Sequence, residues 1–254
     1  MSVCEAVERR SGNVLRFFRP AECDEQPADG IYFWRFDVDG QPLGSTVRIE
    51  TDPGATAGRP SVAAFGDNRF LIAAPVSGTA GGLVRIERYD DEGSLVEPVE
   101  VEAGGAFLRP RMSCSRGGSR CVAVWEEEGG VIALVIAPTS LQRSSRVRIV
   151  ENEDSTVATD PDVACDPTSR CLVTWLRVRE EVVDDMVFSE PIGRFGRVLN
   201  ARTRGLGGTE AIDRATEALE LDGPVVVSLA TSRYVAASAD NDAISLQRFS
   251  LRTE

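Results

Sequence analysis

Pro161-Asp162-Val163-Ala164-Cys165, a turn through Asp166-Pro167-Thr168, then Ser169-Arg170-Cys171-Leu172-Val173-Thr174-Trp175 is the stretch that decides the fold. β-branched and apolar residues flank a turn whose residue types reverse the chain. The reading is two short strands joined by a tight hairpin.

Outward from this stretch, the same phrase recurs. Pro110-Arg111-Met112-Ser113-Cys114, a turn, then Ser119-Arg120-Cys121-Val122-Ala123-Val124-Trp125 lies before it. Pro60-Ser61-Val62-Ala63-Ala64 leads to Asn68-Arg69-Phe70-Leu71-Ile72-Ala73-Ala74, and Pro224-Val225-Val226-Val227-Ser228 leads to Ser232-Arg233-Tyr234-Val235-Ala236-Ala237-Ser238. A degenerate copy runs from Val3 through Ser11-Gly12-Asn13 to Phe18. The anchors Val14, Phe70, Cys121, Cys171 and Tyr234 stand 56, 51, 50 and 63 residues apart.

A second pair of strands follows each phrase. Ile31 to Asp37 and Ser45 to Glu50 flank Asp37-Val38-Asp39-Gly40, and Leu83 to Tyr89 and Val96 to Val101 flank Asp90-Asp91-Glu92-Gly93. Val131 to Ile136 precedes Arg146 to Val150. Met186 to Ile192, a turn at Gly193 and Gly196, and Arg197 to Asn200 complete the fourth copy, and Ala243 to Leu251 the last. Asp and Gly supply the positive-φ residues of tight hairpins.

Four strands in each period of about 50 residues is the pattern of propeller blades. A sandwich of the same strands gives no reason for the recurring Pro and Arg phases. The expected fold class is all-β, a single five-bladed β-propeller over 1–254, with blades near 1–52, 53–103, 104–152, 153–205 and 218–254. The phrase P-x-V-A-C…R-C-L-V-x-W, with its R-x-D-x-x-G hairpin, resembles the repeat β-propeller proteins secreted by many high-GC bacteria. That resemblance covers nearly the whole chain and implies a fold; such repeats host many functions.

Two segments depart from the pattern. The insertion 206–222 places Ala211, Ile212, Ala215 and Leu219 at helical spacing with Thr209 as N-cap, which predicts a short helix. Arg19 to Gly30 reads as an irregular loop.

Six cysteines are present. Cys114 with Cys121 and Cys165 with Cys171 each bracket a hairpin turn, and Cys4 with Cys23 is left as the third pair. Cross-strand neighbours provide the separation a disulfide needs. A Cys4 zinc site is the rival reading, but zinc clusters usually show tight C-x-x-C knuckles. Disulfides imply a secreted, periplasmic or outer-surface protein. Met1-Ser2-Val3-Cys4 lacks the apolar core of a secretory signal, so the expectation is that the natural leader is not part of this sequence.

Composition excludes more than it suggests. There is no His, and all 28 basic residues are Arg. This removes a His general base, Ser-His-Asp and Cys-His machinery, His-ligated metal sites, Schiff-base lysines and the P-loop lysine. A formal charge of −12 disfavours nucleic acid and anionic membranes. No run of about 20 apolar residues suits a membrane span. No cofactor or metal is expected.

Several candidate sites remain. Trp34, Trp125 and Trp175 are read either as sugar-stacking platforms or as packing between blades. Asp37-Val38-Asp39-Gly40 and Asp90-Asp91-Glu92-Gly93 are read as turns, since neither completes a calcium loop. Glu126-Glu127-Glu128, Glu180-Glu181 and Asp184-Asp185 either line one rim or are solvated. Paired carboxylates are the only catalytic chemistry left, with Asp160, Asp162, Asp67 and Asp222 as candidates. The leading expectation is a non-enzymatic binding or scaffold module that recognises a protein or glycan partner through a loop face. A lectin is the second reading and a carboxylate-dependent glycoside hydrolase the third. Oligomeric state is left open.

Overall fold

The computed structural model describes residues 7–10, 13–18, 31–37, 39–49, 56–57, 59–66, 69–78, 81–103, 109–153, 155–183, 186–214, 225–240 and 243–250. They form antiparallel β-sheets, and no helix occurs among them. The chain makes two compact units, residues 1–110 and 111–254.

The first unit holds two sheets. One, sheet A, runs β1 (Val7–Arg10), β2 (Asn13–Phe18), β3 (Ile31–Phe36) and β4 (Val47–Ile49) in order. The other, sheet B, carries β5 (Thr56–Ala57) and β6 (Ser61–Phe65), both paired with β7 (Arg69–Gly78), then β8 (Gly81–Tyr89) and β9 (Leu95–Ala103). Phe33, Phe70 and Tyr89 fill the core, with Phe70 and Tyr89 stacked at 5.1 Å and Phe33 set edge-on to both. The Asp-Gly turns form as read. Asp37 Oδ1 accepts from the amides of Asp39 and Gln41, and Asp90 Oδ1 from those of Glu92 and Ser94.

The second unit holds three sheets. The first, sheet C, has β10 (Arg111–Cys114), β11 (Cys121–Glu127) and β12 (Gly130–Ala137), with β13 (Gln142–Arg143) and β14 (Val147–Glu151) both on β12. Sheet D runs β15 (Thr156–Cys165), β16 (Arg170–Val183), β17 (Met186–Asn200) and β18 (Leu206–Arg214). Sheet E has β19 (Val225–Ala230), β20 (Arg233–Asp240) and β21 (Ala243–Ser250).

Sheet D is buried on both faces, which is why its inner strands read as nearly continuous apolar runs. Val163, Cys165, Cys171, Val173 and Trp175 pack with Val122, Val124, Val131 and Val135 of sheet C. The intervening Ala164 and Leu172 pack with Val226 and Tyr234 of sheet E. The period-two alternation of a strand thus sends successive residues to opposite neighbours. The hairpin ends line up as well: Ser119 Oγ lies 3.2 Å from Ser169 Oγ, and Asp166 Oδ2 accepts from the Ser232 amide at 2.8 Å.

Two expectations need correction. The insertion 206–222 does not begin a helix; its first half is β18, the outer strand of sheet D. Helical spacing is a weak preference, and the open edge of β17 needs partners for its backbone groups. Ile212 is buried there, against Gly196. Residues 215–224 lie outside the described residues. Nor is there a turn at Gly193 and Gly196, because β17 runs straight through both and pairs with β16 from Val183↔Met186 to Arg170↔Asn200. A bulge absorbs Ile192. A Cβ on Gly196 would sit 3.2 Å from both Ile212 Cδ1 and Leu172 Cδ1, so this glycine admits a close packing and not a reversal.

Disulfides Cys114–Cys121 and Cys165–Cys171 close the two hairpins, with Cα separations of 3.9 and 4.0 Å. The disulfide reading holds for those four cysteines. Cys4 and Cys23 lie outside the described residues.

Candidate active site

A cavity of about 790 Å³ opens in the second unit, between the β11–β12 hairpin of sheet C and the opposite end of sheet D from its disulfide. Its charged lining is acidic throughout: Glu126, Glu127 and Glu128 from the hairpin, Asp160 from β15, Glu180 from β16 and Glu190 from β17.

The hairpin is tight because Glu127 pairs with Gly130, leaving only Glu128 and Gly129 at its tip. Gly130 has φ +126°, and a Cβ there would fall 2.2 Å from the Val150 carbonyl oxygen. Only glycine meets both demands. Asn152 then joins the two walls. Its Nδ2 donates to the Glu128 carbonyl at 3.1 Å, and its Oδ1 accepts from the Ala158 amide at 2.9 Å.

The opposite wall is broken by a bulge. Register passes from Thr159↔Leu176 to Asp162↔Thr174, so Asp160 and Pro161 together oppose Trp175. Pro161 has no amide to offer the ladder, and bulges tolerate such a residue. Asp160 takes φ +47°, the left-handed region, which Asp enters more readily than most residues. Its amide donates to Glu126 Oε1 at 2.7 Å, from the neighbouring sheet.

The other acids have defined surroundings. Glu127 Oε1 accepts from Trp125 Nε1 at 3.0 Å and from Arg146 Nη1 at 2.8 Å. Glu190 faces Arg179 at 3.5 Å, with both side chains exposed. Glu128 and Glu180 are exposed at the rim.

Asp162 behaves differently from Asp160. Its Oδ2 accepts from the Val226 amide of sheet E at 2.7 Å. Burial of this carboxyl raises its pKa to about 6, against the lowering influence of that hydrogen bond and of Arg111. The bulge thus separates the two aspartates: Asp160 lines the cavity and Asp162 ties sheet D to sheet E. Asp67 and Asp222 lie outside the described residues, as do Asp184 and Asp185.

Trp125 and Trp175 do not form sugar platforms. Trp125 and Trp175 are 0% and 1% exposed, so neither ring face meets solvent. Trp175 stacks on Phe195 in the core between sheets C and D, which is the packing alternative. Trp34, in the first unit, is half-exposed and edge-on to Phe36.

The sequence named the hairpin acids and Asp160 separately and missed that they meet. It also missed Asn152 and Glu190. The alternation in Leu176-Arg177-Val178-Arg179 was the one signal that β16 extends far enough to build a wall.

No protein-family model matches the chain, and no curated protein does. Its fold is that of several solved enzymes. An α-L-arabinanase of Penicillium chrysogenum, complexed with arabinobiose, matches with a TM-score of 0.60 at 11% identity, over 96% of this chain and 77% of that one. An α-L-arabinofuranosidase of Fusarium graminearum matches with a TM-score of 0.59 at 12% identity in complex with an iminosugar inhibitor, over 99% and 81%. With arabinobiose the same enzyme gives 0.55 at 13% identity and the same coverage. These matches correct the expectation of a non-enzymatic binding, scaffold or lectin module: the solved proteins named above are glycoside hydrolases.

Proposed function

We propose that this chain is a carboxylate-dependent glycoside hydrolase on a five-bladed β-propeller, exported to an oxidising compartment and acting on a glycan. The observation that carries the reading is the acid-lined cavity, set at the bulge of β15 in a chain whose fold is shared with arabinanase and arabinofuranosidase. A chain without His or Lys has carboxyl groups as its acid–base pair, and glycoside hydrolysis needs just that. One carboxyl protonates the departing glycosidic oxygen. The other attacks the anomeric carbon or activates a water.

We assign the pair to Asp160 and Glu128. They line the cavity from facing elements, and Asn152 fixes the spacing of those elements by bonding the Glu128 carbonyl and the Ala158 amide. The five sheets support the propeller, since sheets C, D and E stack through alternate faces as blades do. The two disulfides support an oxidising compartment.

Arabinan and 4-nitrophenyl α-L-arabinofuranoside are the first substrates to test, followed by other neutral glycosides. Hydrolysis is expected, and Asp160→Asn and Glu128→Gln are each expected to lower kcat by about 10²–10⁴-fold. Absence of turnover on every glycoside, or full activity in both variants, overturns the reading.

A further inference from the structure

We infer that Glu126 is a positioning residue: its carboxylate holds the backbone of Asp160 in the left-handed conformation that sets this residue at the cavity. The role rests on the assignment of Asp160 above, but the backbone clamp stands on geometry alone.

Three observations converge on it. Asp160 has φ +47° and precedes Pro161, and a residue before proline prefers extended backbone. The local sequence therefore opposes the conformation, and something outside the strand must maintain it. Second, the two-for-one bulge removes the Asp160 amide from the β15–β16 ladder, because register resumes only at Asp162. A part-buried amide at a break in the register needs a well-placed acceptor. Third, the acceptor is the carboxylate of Glu126 on the neighbouring sheet, at 2.7 Å. A bond of that length to a charged group belongs to the strong class.

The side-chain alternation of β11 explains why Glu126 fills this role and its neighbours do not. Val122 and Val124 face sheet D in the core, and Glu126 continues that face. Glu127 instead commits its carboxylate to Trp125 Nε1 and Arg146. Two residues further along β15, Asp162 is held from sheet E by the Val226 amide. The Asp160-Pro161-Asp162 bulge is thus fixed from both adjoining sheets. Glu126 is the half of that fixture on the cavity side.

The test reads the Asp160 amide directly, by nitrogen-15 NMR hydrogen exchange on the whole chain. In the native protein this amide is expected to be protected although it lies in no ladder. Glu126→Ala should speed its exchange about 10–100-fold, the range for losing a hydrogen bond to a charged group. Glu126→Gln keeps an acceptor at the same reach and should restore most of the protection; it also serves if the alanine variant fails to fold. Asp160→Gly adopts positive φ without strain, so Glu126→Ala should lower the Tm less in that background than in the native one. If hydrolysis is found, Glu126→Ala should lower kcat with KM nearly unchanged, and Glu126→Gln should recover it. An unprotected Asp160 amide, or exchange that Glu126→Ala leaves unchanged, overturns the clamp whether or not the protein is active. Absence of hydrolysis with the clamp intact would count against the assigned function alone.

Discussion

The two ends of sheets C and D are built from the same strands and made differently. At one end, β10–β11 and β15–β16 turn back within a few residues, each closed by a disulfide. There Asp166 is fully buried and its acceptors are used: Oδ1 takes the Thr168 amide and hydroxyl and the Arg170 amide, and Oδ2 takes the Ser232 amide. Tyr234 closes over this group, and burial followed by the nearby Asp166 charge pushes its phenol up. At the other end the ladder is broken by a bulge, and six acids line an open cavity. One end spends its polar groups on structure. The other leaves Glu128, Glu180 and Glu190 exposed, where a substrate can meet them.

The contrast is sharpest in stability. Asp166→Ala would orphan the buried Ser232 amide and the part-buried amides of Thr168 and Arg170, and the loss expected is about 3–5 kcal/mol. Glu128→Gln, at the rim of the cavity, should stay within about 0.5 kcal/mol of the native protein. Urea denaturation of the two variants measures both. Equal costs would break the division between a structural end and a chemical end.

Asp162 stands between the ends, and pH isolates its contribution. Its folded pKa of about 6 lies above the ordinary value of 3.8, so the folded chain holds this proton more tightly than the unfolded one. The stability linked to this group is therefore fully present below pH 4 and is lost as pH rises through 6. The loss is about 3 kcal/mol. Asp162→Asn keeps an acceptor for the Val226 amide and carries no charge. It should match the native protein near pH 4 and exceed it above pH 6, by chemical denaturation at each pH. A variant with the same pH slope as the native chain would place the titration elsewhere.

Much of the stapled end was legible in the sequence, and the reason is local. Cys114 and Cys121, Cys165 and Cys171, and the Asp and Gly turns lie within a few residues of their partners, so spacing alone carries the geometry. The nearly continuous apolar runs Val163–Cys165 and Cys171–Trp175 likewise record burial on two faces. The cavity end was legible only as separate acids. Glu126 meets Asp160 across 34 positions, and a bulge shifts the register that would have placed the latter. Asp160 and Asp162 looked equivalent in sequence, yet the extra residue between them divides their roles. Trp125 and Trp175 illustrate the same limit: a recurring aromatic names a position in the repeat, but only packing shows that it faces inward. The insertion failed for another reason. Its helical spacing competed with the open edge of β17, and pairing with that edge prevailed.

Replacing both cysteines of the sheet D hairpin separates the two ends more finely. The bridge joins residues six apart, so the unfolded loop it closes is short and the loss on Cys165→Ser with Cys171→Ser is about 2 kcal/mol. The pair lies at the far end of β15 from Asp160, and the strand between them keeps its ladder from Asp162 to Cys165. If the ends are energetically distinct, the double variant should lose stability while the Asp160 amide keeps its protection below the melting transition. The Ser232 amide, held by Asp166 beside the hairpin, should exchange faster. Loss of protection at Asp160 to the same degree would mean that the disulfide also braces the cavity, and that sheet D responds as one rigid body and not as two halves.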